Sequence, residues 1–186
     1  IRNTESLLSA GAGKQAEINQ VMDTVKALYD EYGLKLSDIQ LATLGPRSAG
    51  TMAYYDIEGN LAINKSYFDV AKMNKSYDDC VKAKWHPGRG NKTGLEAVAA
   101  HETGHALTAK IAGGFNGIDA ISNEIVKAAQ KAVGARNKKA FMAKVSGYGK
   151  KNAAEAVAEA FADVFCNGNK AGKESKAIVN ELNKRL

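Results

Sequence analysis

The sequence contains few of the residues that mark unusual classes of protein. It has two cysteines and two prolines in 186 residues, and aromatic residues make up 7%. The low cysteine count excludes a disulfide-dense miniprotein, and a composition of 45% hydrophobic and 25% charged residues excludes a disordered or collagen-like chain. No apolar run approaches the roughly 18 residues that a membrane helix needs. We therefore predict a soluble globular protein without a membrane-spanning segment.

The length suits one domain, because a chain of this size buries roughly two thirds of the surface that its unfolded form exposes. We predict a single domain over residues 1–186. The first residues, Ile1-Arg2-Asn3-Thr4, contain neither an initiating Met nor the apolar core of a signal peptide. We interpret the chain as an excerpt from a longer protein.

The net charge and the two cysteines say less about function than the overall composition says about the class of protein. Lysine and arginine total 26 against 20 acidic residues, a formal charge of +6. The lysines are scattered rather than gathered into a basic stripe, so we do not expect a nucleic-acid partner. Cys80 and Cys166 lie far apart in the sequence, and we predict that both are buried free thiols.

Hydrophobic periodicity predicts a few strands early in the chain and helices after them. The predicted strands are residues 39–44 and a hairpin of residues 52–57 and 61–63 that turns at Glu58-Gly59-Asn60. The predicted helices are an early one that ends at Tyr32, then residues 66–81, 94–112, 118–133, 138–145, 152–166 and 174–184. This order predicts a mainly helical α+β fold with a small sheet that contains antiparallel strands.

The helix at 94–112 has a clear start signal. Thr93 and Glu96 have the spacing of a capping box, in which each side chain bonds to the backbone N–H of the other residue. Gly113 and Gly114 follow as a stop signal. The chemistry-bearing residues described next therefore fall inside a helix.

His101-Glu102-Thr103-Gly104-His105 is an HExxH motif. Four-residue spacing places both imidazoles on one helical face, so His101 and His105 can reach one zinc ion. Glu102 would then lie beside the metal, where it can accept a proton from the attacking water and deliver it to the leaving amine. The motif predicts a zinc peptidase.

A catalytic zinc with two histidines needs a third protein ligand. The extended pattern HExxHxxGxxH is absent, because Thr108 and Ile111 occupy its Gly and His positions. His86, the remaining histidine, lies in the loop Trp85-His86-Pro87-Gly88, and we favour a surface or supporting role for it over metal ligation. A carboxylate is therefore the favoured third ligand.

Three acids at four-residue spacing, Glu155, Glu159 and Asp163, line one face of a predicted helix rich in alanine. A helix with mostly alanine side chains can approach another helix closely. One acid can ligate zinc, and the acid one turn later can accept the free N–H of a ligating histidine. The spacing allows either pair, Glu155 with Glu159 or Glu159 with Asp163.

A resemblance of the sequence to a known family distinguishes between these two pairs of acids. The segment Ser146-Gly147-Tyr148-Gly149-Lys150-Lys151-Asn152, with Glu155 and then Ala158-Glu159-Ala160-Phe161, resembles the catalytic domain of anthrax lethal factor and related phage- and prophage-encoded metallopeptidases. The resemblance implies that Glu155 is the third zinc ligand, that Glu159 orients a ligand, and that Tyr148 stabilises the oxyanion. It covers about 35 residues, 95–112 and 146–164.

The chain departs from the family pattern at two positions. Val157 replaces the usual aromatic residue, and Gly147 is inserted between Ser146 and Tyr148. Neither change removes a proposed ligand. A Gly-Tyr-Gly loop can also pack its ring on the core, which is the alternative for Tyr148.

We therefore expect a zincin-like fold and a zinc-dependent metalloendopeptidase of the gluzincin type, with Zn²⁺ as cofactor and a peptide or protein as substrate. The substrate could add as a strand to a sheet edge formed by residues 52–57 or 61–64. The alternative is a non-catalytic zincin-like structural or interaction module of a phage or mobile-element protein. An intracellular or phage-associated setting is favoured, and the sequence predicts no oligomeric state.

Overall fold

A computed structural model describes residues 3–35 and 38–186. The strands are β1 (Asn3–Ser6), β2 (Ile39–Thr43), β3 (Ala53–Tyr55) and β4 (Leu61–Asn64). The α-helices are α1 (Gln15–Tyr32), α2 (Val70–Lys82), α3 (Gly94–Ala112), α4 (Ile118–Ala132), α5 (Lys138–Val145), α6 (Ala153–Asn167) and α7 (Lys173–Asn183). Single 3₁₀ turns occupy Leu7–Ala10, Ala12–Lys14, Pro46–Ser48, Lys65–Tyr67, Phe115–Gly117 and Gly168–Lys170. This content agrees with the predicted α+β class.

The four strands form one mixed sheet in the order β1-β2-β4-β3. β3 and β4 are the predicted hairpin and pair antiparallel, with Tyr55 opposite Leu61. β4 pairs parallel with β2, and β1 pairs antiparallel with the other side of β2. Of the two hairpin strands, β3 therefore lies at a sheet edge and β4 lies inside, which removes residues 61–64 as the predicted substrate edge.

α3 lies at the centre of the molecule, with buried residues around most of its circumference. Its first half packs with the sheet, α1 and α2, and its second half packs with α4 and α6. Two hydrophobic clusters of buried residues therefore meet at α3. Leu95 is fully buried in the first cluster, and Leu107 is fully buried in the second. A helix that is buried on all sides is usually apolar on every face. The buried polar residues of α3 are therefore exceptions that need specific partners.

Two predictions about the first half of the chain are wrong in detail. The helix predicted over 66–81 is a 3₁₀ turn at Lys65–Tyr67 followed by α2, because Asp69 is an N-cap that accepts from the backbone N–H of Lys72. Cys80 is partly exposed rather than buried, while Cys166 is buried, and both are free thiols. Within the described residues, no helix combines the length and apolar character needed to span a membrane.

Candidate metal centre

The capping box predicted for α3 is present. The backbone N–H of Glu96 donates to Thr93 Oγ1 at 3.2 Å, and the backbone N–H of Thr93 donates to Glu96 Oε2 at 2.7 Å. The cap fixes the start of α3 at Gly94. His101 and His105 therefore lie two and three turns into a helix that is rigidly packed on both sides.

The two histidines share one face of α3, and their ring centroids are 5.0 Å apart. Their side chains are 12% and 16% exposed, so both are largely shielded from solvent without being sealed off. Glu102 lies beside them and is buried. One ligand atom from each of these three residues lies within 4.8 Å of the others, a grouping that could hold a metal ion.

α6 brings a carboxylate to the same point. Asn152 caps α6 by accepting from the backbone N–H of Glu155 at 2.8 Å, which places Glu155 in the first turn. Glu155 Oε2 lies 3.2 Å from His101 Nε2 and 3.4 Å from His105 Nε2. This oxygen is buried and makes no hydrogen bond within the described chain. Two imidazole nitrogens and one carboxylate oxygen thus converge on one point.

Glu159, one turn further along α6, is 1% exposed and approaches the other side of His101. Its Oε1 lies 2.8 Å from His101 Nδ1, and both of its oxygens lie 3.0 Å from His86 Nδ1. Burial acts to raise the pKa of Glu159, but the hydrogen bonds from His101 and His86 outweigh burial and lower the pKa to about 2. Glu159 is therefore an ionised acceptor shared by two imidazoles.

Asp163, the third acid on this face of α6, lies away from the histidines and supports the α6–α7 junction. It accepts from Asn167 Nδ2 at 2.8 Å and from the backbone N–H of Gly172 at 3.0 Å. Of the two pairings that the spacing allowed, the geometry brings Glu155 and Glu159, and not Asp163, to the histidines.

Tyr148 is held beside this cluster by backbone pairing between two loops. The backbone N–H groups of Gly147 and Tyr148 donate to the carbonyls of Lys84 and Trp85, each at 2.9 Å. A Cβ on residue 147 would stand 2.9 Å from the Lys84 carbonyl oxygen, so glycine at this position permits the close approach of the two loops. The Tyr148 ring lies 5.9 Å from that of His101, centroid to centroid, at the candidate site rather than in the core.

Burial of the site acts on the pKa of each acidic group in it, with or against hydrogen bonds and neighbouring charges. It raises the pKa of Glu102, although the neighbouring histidines and the backbone N–H of Tyr55 on β3 act in the opposite direction. Burial also raises the pKa of Tyr148, and the carboxylate of Glu155 adds to that rise. The pKa of Glu155 itself is lowered, because its contacts with His101 and His105 outweigh burial.

Two cavities adjoin the cluster and share part of their lining. The first, of about 300 Å³, is lined by His86, Tyr77, Trp85 and Glu159, and the second, of about 460 Å³, by His105, Glu155, Phe115 and Asp119. Both are also lined by Thr51 and Ala53, next to or on the edge strand β3, and by His101, Glu102 and Tyr148. The five shared residues therefore lie between the two cavities.

His86 is the residue whose importance the sequence analysis underestimated. Its ring stacks on Tyr77 with centroids 5.3 Å apart and lines the first cavity. The available signal was its place in a Trp-His-Pro-Gly loop shortly before the HExxH motif, in a chain with three histidines. Its partner Glu159 is 73 residues away, a distance that no spacing rule relates to the loop.

Comparison of the chain with protein-family models, curated proteins and solved structures found no match.

Proposed function

We propose that the chain is a zinc-dependent metalloendopeptidase of the gluzincin type with a zincin-like fold, related to lethal-factor-like and phage-encoded metallopeptidases. The observation that carries the proposal is the convergence of His101 Nε2, His105 Nε2 and Glu155 Oε2, with Glu102 beside them. No other pair of histidines in the chain has helical four-residue spacing.

The donor set fits zinc. Zinc ligands lie about 2.0–2.2 Å from the metal, so two ligand atoms of a tetrahedral site are about 3.3 Å apart. The distances from Glu155 Oε2 to the two Nε2 atoms, 3.2 and 3.4 Å, match that separation. The buried Glu155 oxygen that lacks a hydrogen-bond partner also suits a metal ligand.

The supporting residues prepare these donors. Because ionised Glu159 can only accept a hydrogen bond, His101 donates from Nδ1. In the neutral ring that would ligate zinc, the lone pair is therefore on Nε2, which faces Glu155 and His105. Zinc held by His101, His105 and Glu155 would polarise the scissile carbonyl and lower the pKa of the attacking water. Glu159 itself remains outside the ligand set and fixes the tautomer of His101.

Glu102 and Tyr148 perform the proton and oxyanion chemistry in this proposal. Burial raises the pKa of Glu102, which makes its carboxylate a stronger base. From its place beside the donor set, Glu102 would take the proton of the attacking water and deliver it to the leaving amine. Burial keeps Tyr148 protonated, and its phenol can donate to the oxygen on which negative charge develops.

A peptide or protein is the substrate that the surroundings suit. β3 is an edge strand whose residues line both cavities, and its backbone can pair with an extended peptide. A peptide bound in this way would pass between the cavities and across the residues that they share. Its side chains would occupy the cavities on either side of the scissile bond.

Cleavage of an unbiased peptide mixture, with zinc supplied, tests the proposal. Wild type should cut peptides, whereas Glu102→Gln should retain zinc and lose at least about a hundredfold in rate, since general-base catalysis contributes 10²–10⁴-fold. His105→Ala should lose both zinc and cleavage. Equal cleavage by wild type and Glu102→Gln would refute the mechanism.

The rival function is a non-catalytic zincin-like module that binds a partner. It predicts zinc-loaded protein that cuts nothing in the mixture, and capture of the same partner by wild type and by Glu102→Gln. The presence of Glu102 and Tyr148 beside the donor set favours the enzyme, because a binding module needs neither group in that place.

A further inference from the structure

His86 is the histidine that the proposed mechanism leaves without a task. Its side chain is 15% exposed, close to the 12% and 16% of His101 and His105, and its ring contacts those of Tyr77 and Tyr148. The ring centroids lie 5.3 and 5.4 Å from those two neighbours. An imidazole packed in this way has one orientation.

The loop that carries His86 is also fastened at several points. Arg89 binds Asp78 of α2 through Nε and Nη2, at 2.8 and 2.9 Å. Asn167 at the end of α6 donates to the carbonyl of Gly88 at 2.6 Å. The loop therefore holds the His86 ring in place before any ligand arrives, which reduces the entropy that binding would cost.

The two nitrogens of the His86 ring have different environments. Nδ1 lies 3.0 Å from both oxygens of Glu159 and must be the donor, because an ionised carboxylate only accepts. Nε2 makes no hydrogen bond within the described residues, and it is not a sealed, unpaired atom. In the neutral ring with its proton on Nδ1, Nε2 is a hydrogen-bond acceptor.

We propose that His86 is a substrate-binding residue whose Nε2 accepts a hydrogen bond from a backbone N–H of a peptide in the first cavity. This inference rests on the proposed peptidase function. His86 lines that cavity together with His101, Glu102 and Tyr148, so a peptide N–H bound there lies close to the scissile bond. Glu159 then has two tasks, since it fixes the tautomer of a metal ligand and that of a substrate-binding imidazole.

Two isosteric variants separate substrate binding from support of Glu159. The amide nitrogen of Asn is as many bonds from the backbone as Nδ1, so His86→Asn can still donate to Glu159 but has nothing in place of Nε2. The amide of Gln reaches as far as Nε2, so His86→Gln keeps an acceptor toward the cavity and loses the Nδ1 donor. If His86 only supports Glu159, Asn should be the better replacement.

The experiment uses the best-cleaved peptide from the unbiased mixture and a series of its analogues, each with one backbone N–H replaced by an ester oxygen. Binding is measured on zinc-loaded Glu102→Gln protein, with and without His86→Asn. We call the Glu102→Gln protein with His86 intact the parent. One of the ester analogues should bind to the parent about three- to tenfold more weakly than the all-amide peptide does, which is the usual contribution of one hydrogen bond. The same ester should have no effect on the His86→Asn protein, whose zinc affinity should stay within about twofold.

A second variant covers the possibility that His86→Asn does not fold. His86→Gln should retain the sensitivity to that ester, although its peptide affinity is lower overall. If no ester weakens binding to the parent threefold, or if His86→Asn discriminates between amide and ester as the parent does, the inference is overturned. Cleavage by wild type in that case leaves the peptidase function standing, whereas absence of both cleavage and peptide binding refutes the two together.

Discussion

Glu159 shows how much one buried residue can determine about a site. It is 1% exposed, yet it is ionised, because two imidazole N–H groups compensate the cost of burying its charge. Removal of Glu159 would leave two buried donors without an acceptor. Glu155 differs from it in having a buried oxygen with no hydrogen-bond partner, as expected of a residue that would satisfy that oxygen with a metal ion.

Metal affinity should separate these two acids. Glu155→Gln removes the charge of the proposed third ligand and should reduce the zinc content of purified protein to near that of His105→Ala. Glu159→Gln should weaken zinc binding about 10–100-fold, the usual cost of losing a hydrogen bond to a ligating histidine. Competition with a chromophoric chelator measures both affinities. Greater loss in Glu159→Gln than in Glu155→Gln would reverse the two assignments.

At the scale of elements, the close contact between α3 and α6 makes the site possible. Gly104 on α3 faces the alanine-rich surface of α6, and a Cβ on residue 104 would stand 2.8 Å from Ala158 Cα and 3.3 Å from Phe161 Cβ. The small residues of α6 permit this close approach. Bulkier side chains at the contact would move Glu155 away from the two histidines.

The sign of the change in the free energy of unfolding caused by Gly104→Ala tests this packing. Helix propensity alone would make the change stabilising by about 1 kcal/mol, whereas overpacking of a tight contact costs about 1–3 kcal/mol. We expect a net loss of about 1–2 kcal/mol in the free energy of unfolding, measured by urea denaturation of the metal-free protein. Gly50→Ala is the control, since a Cβ at residue 50 meets nothing within 4 Å. A gain in stability for Gly104→Ala would contradict a tight contact between α3 and α6 at residue 104.

The elements that the sequence predicted well are those with local signals. α5 and α6 begin directly after Asn137 and Asn152, whose side chains cap them, and the hairpin of β3 and β4 turns where glycine follows Glu58. The elements missed depend on distant partners. β1 has the polar sequence NTES and exists through its pairing with β2, and the parallel pairing of β2 with β4 leaves no pattern within either strand.

The same division applies to the candidate site. The HExxH motif and the acids of α6 have helical spacing, so their shared faces follow from the sequence. The choice of Glu155 over Asp163 as the neighbour of the histidines depends on the angle between two helices, and the position of His86 depends on a loop fastened by Arg89 and Asn167. Neither depends on local sequence alone.

At the scale of the whole molecule, the candidate donors join segments that are distant in the chain. His101 and His105 come from the central helix, where two hydrophobic clusters meet, and Glu155 comes from α6 about 50 residues later. A metal bound to all three would link these helices in the folded state and find no such arrangement in the unfolded chain. Zinc should therefore stabilise the fold as a whole rather than order one loop.

Thermal unfolding with and without zinc measures that linkage. At a free zinc concentration 100 times its dissociation constant, binding contributes about 2.7 kcal/mol, which corresponds to a rise in Tm of about 5–10 °C for a domain of this size. Glu102→Gln should show the same rise, because Glu102 is not a proposed ligand, and His105→Ala should show little or none. Magnesium should not replace zinc, since it prefers all-oxygen octahedral sites. A Tm that zinc leaves unchanged, or that magnesium raises equally, would mean that these side chains meet as buried ion pairs rather than as a metal centre.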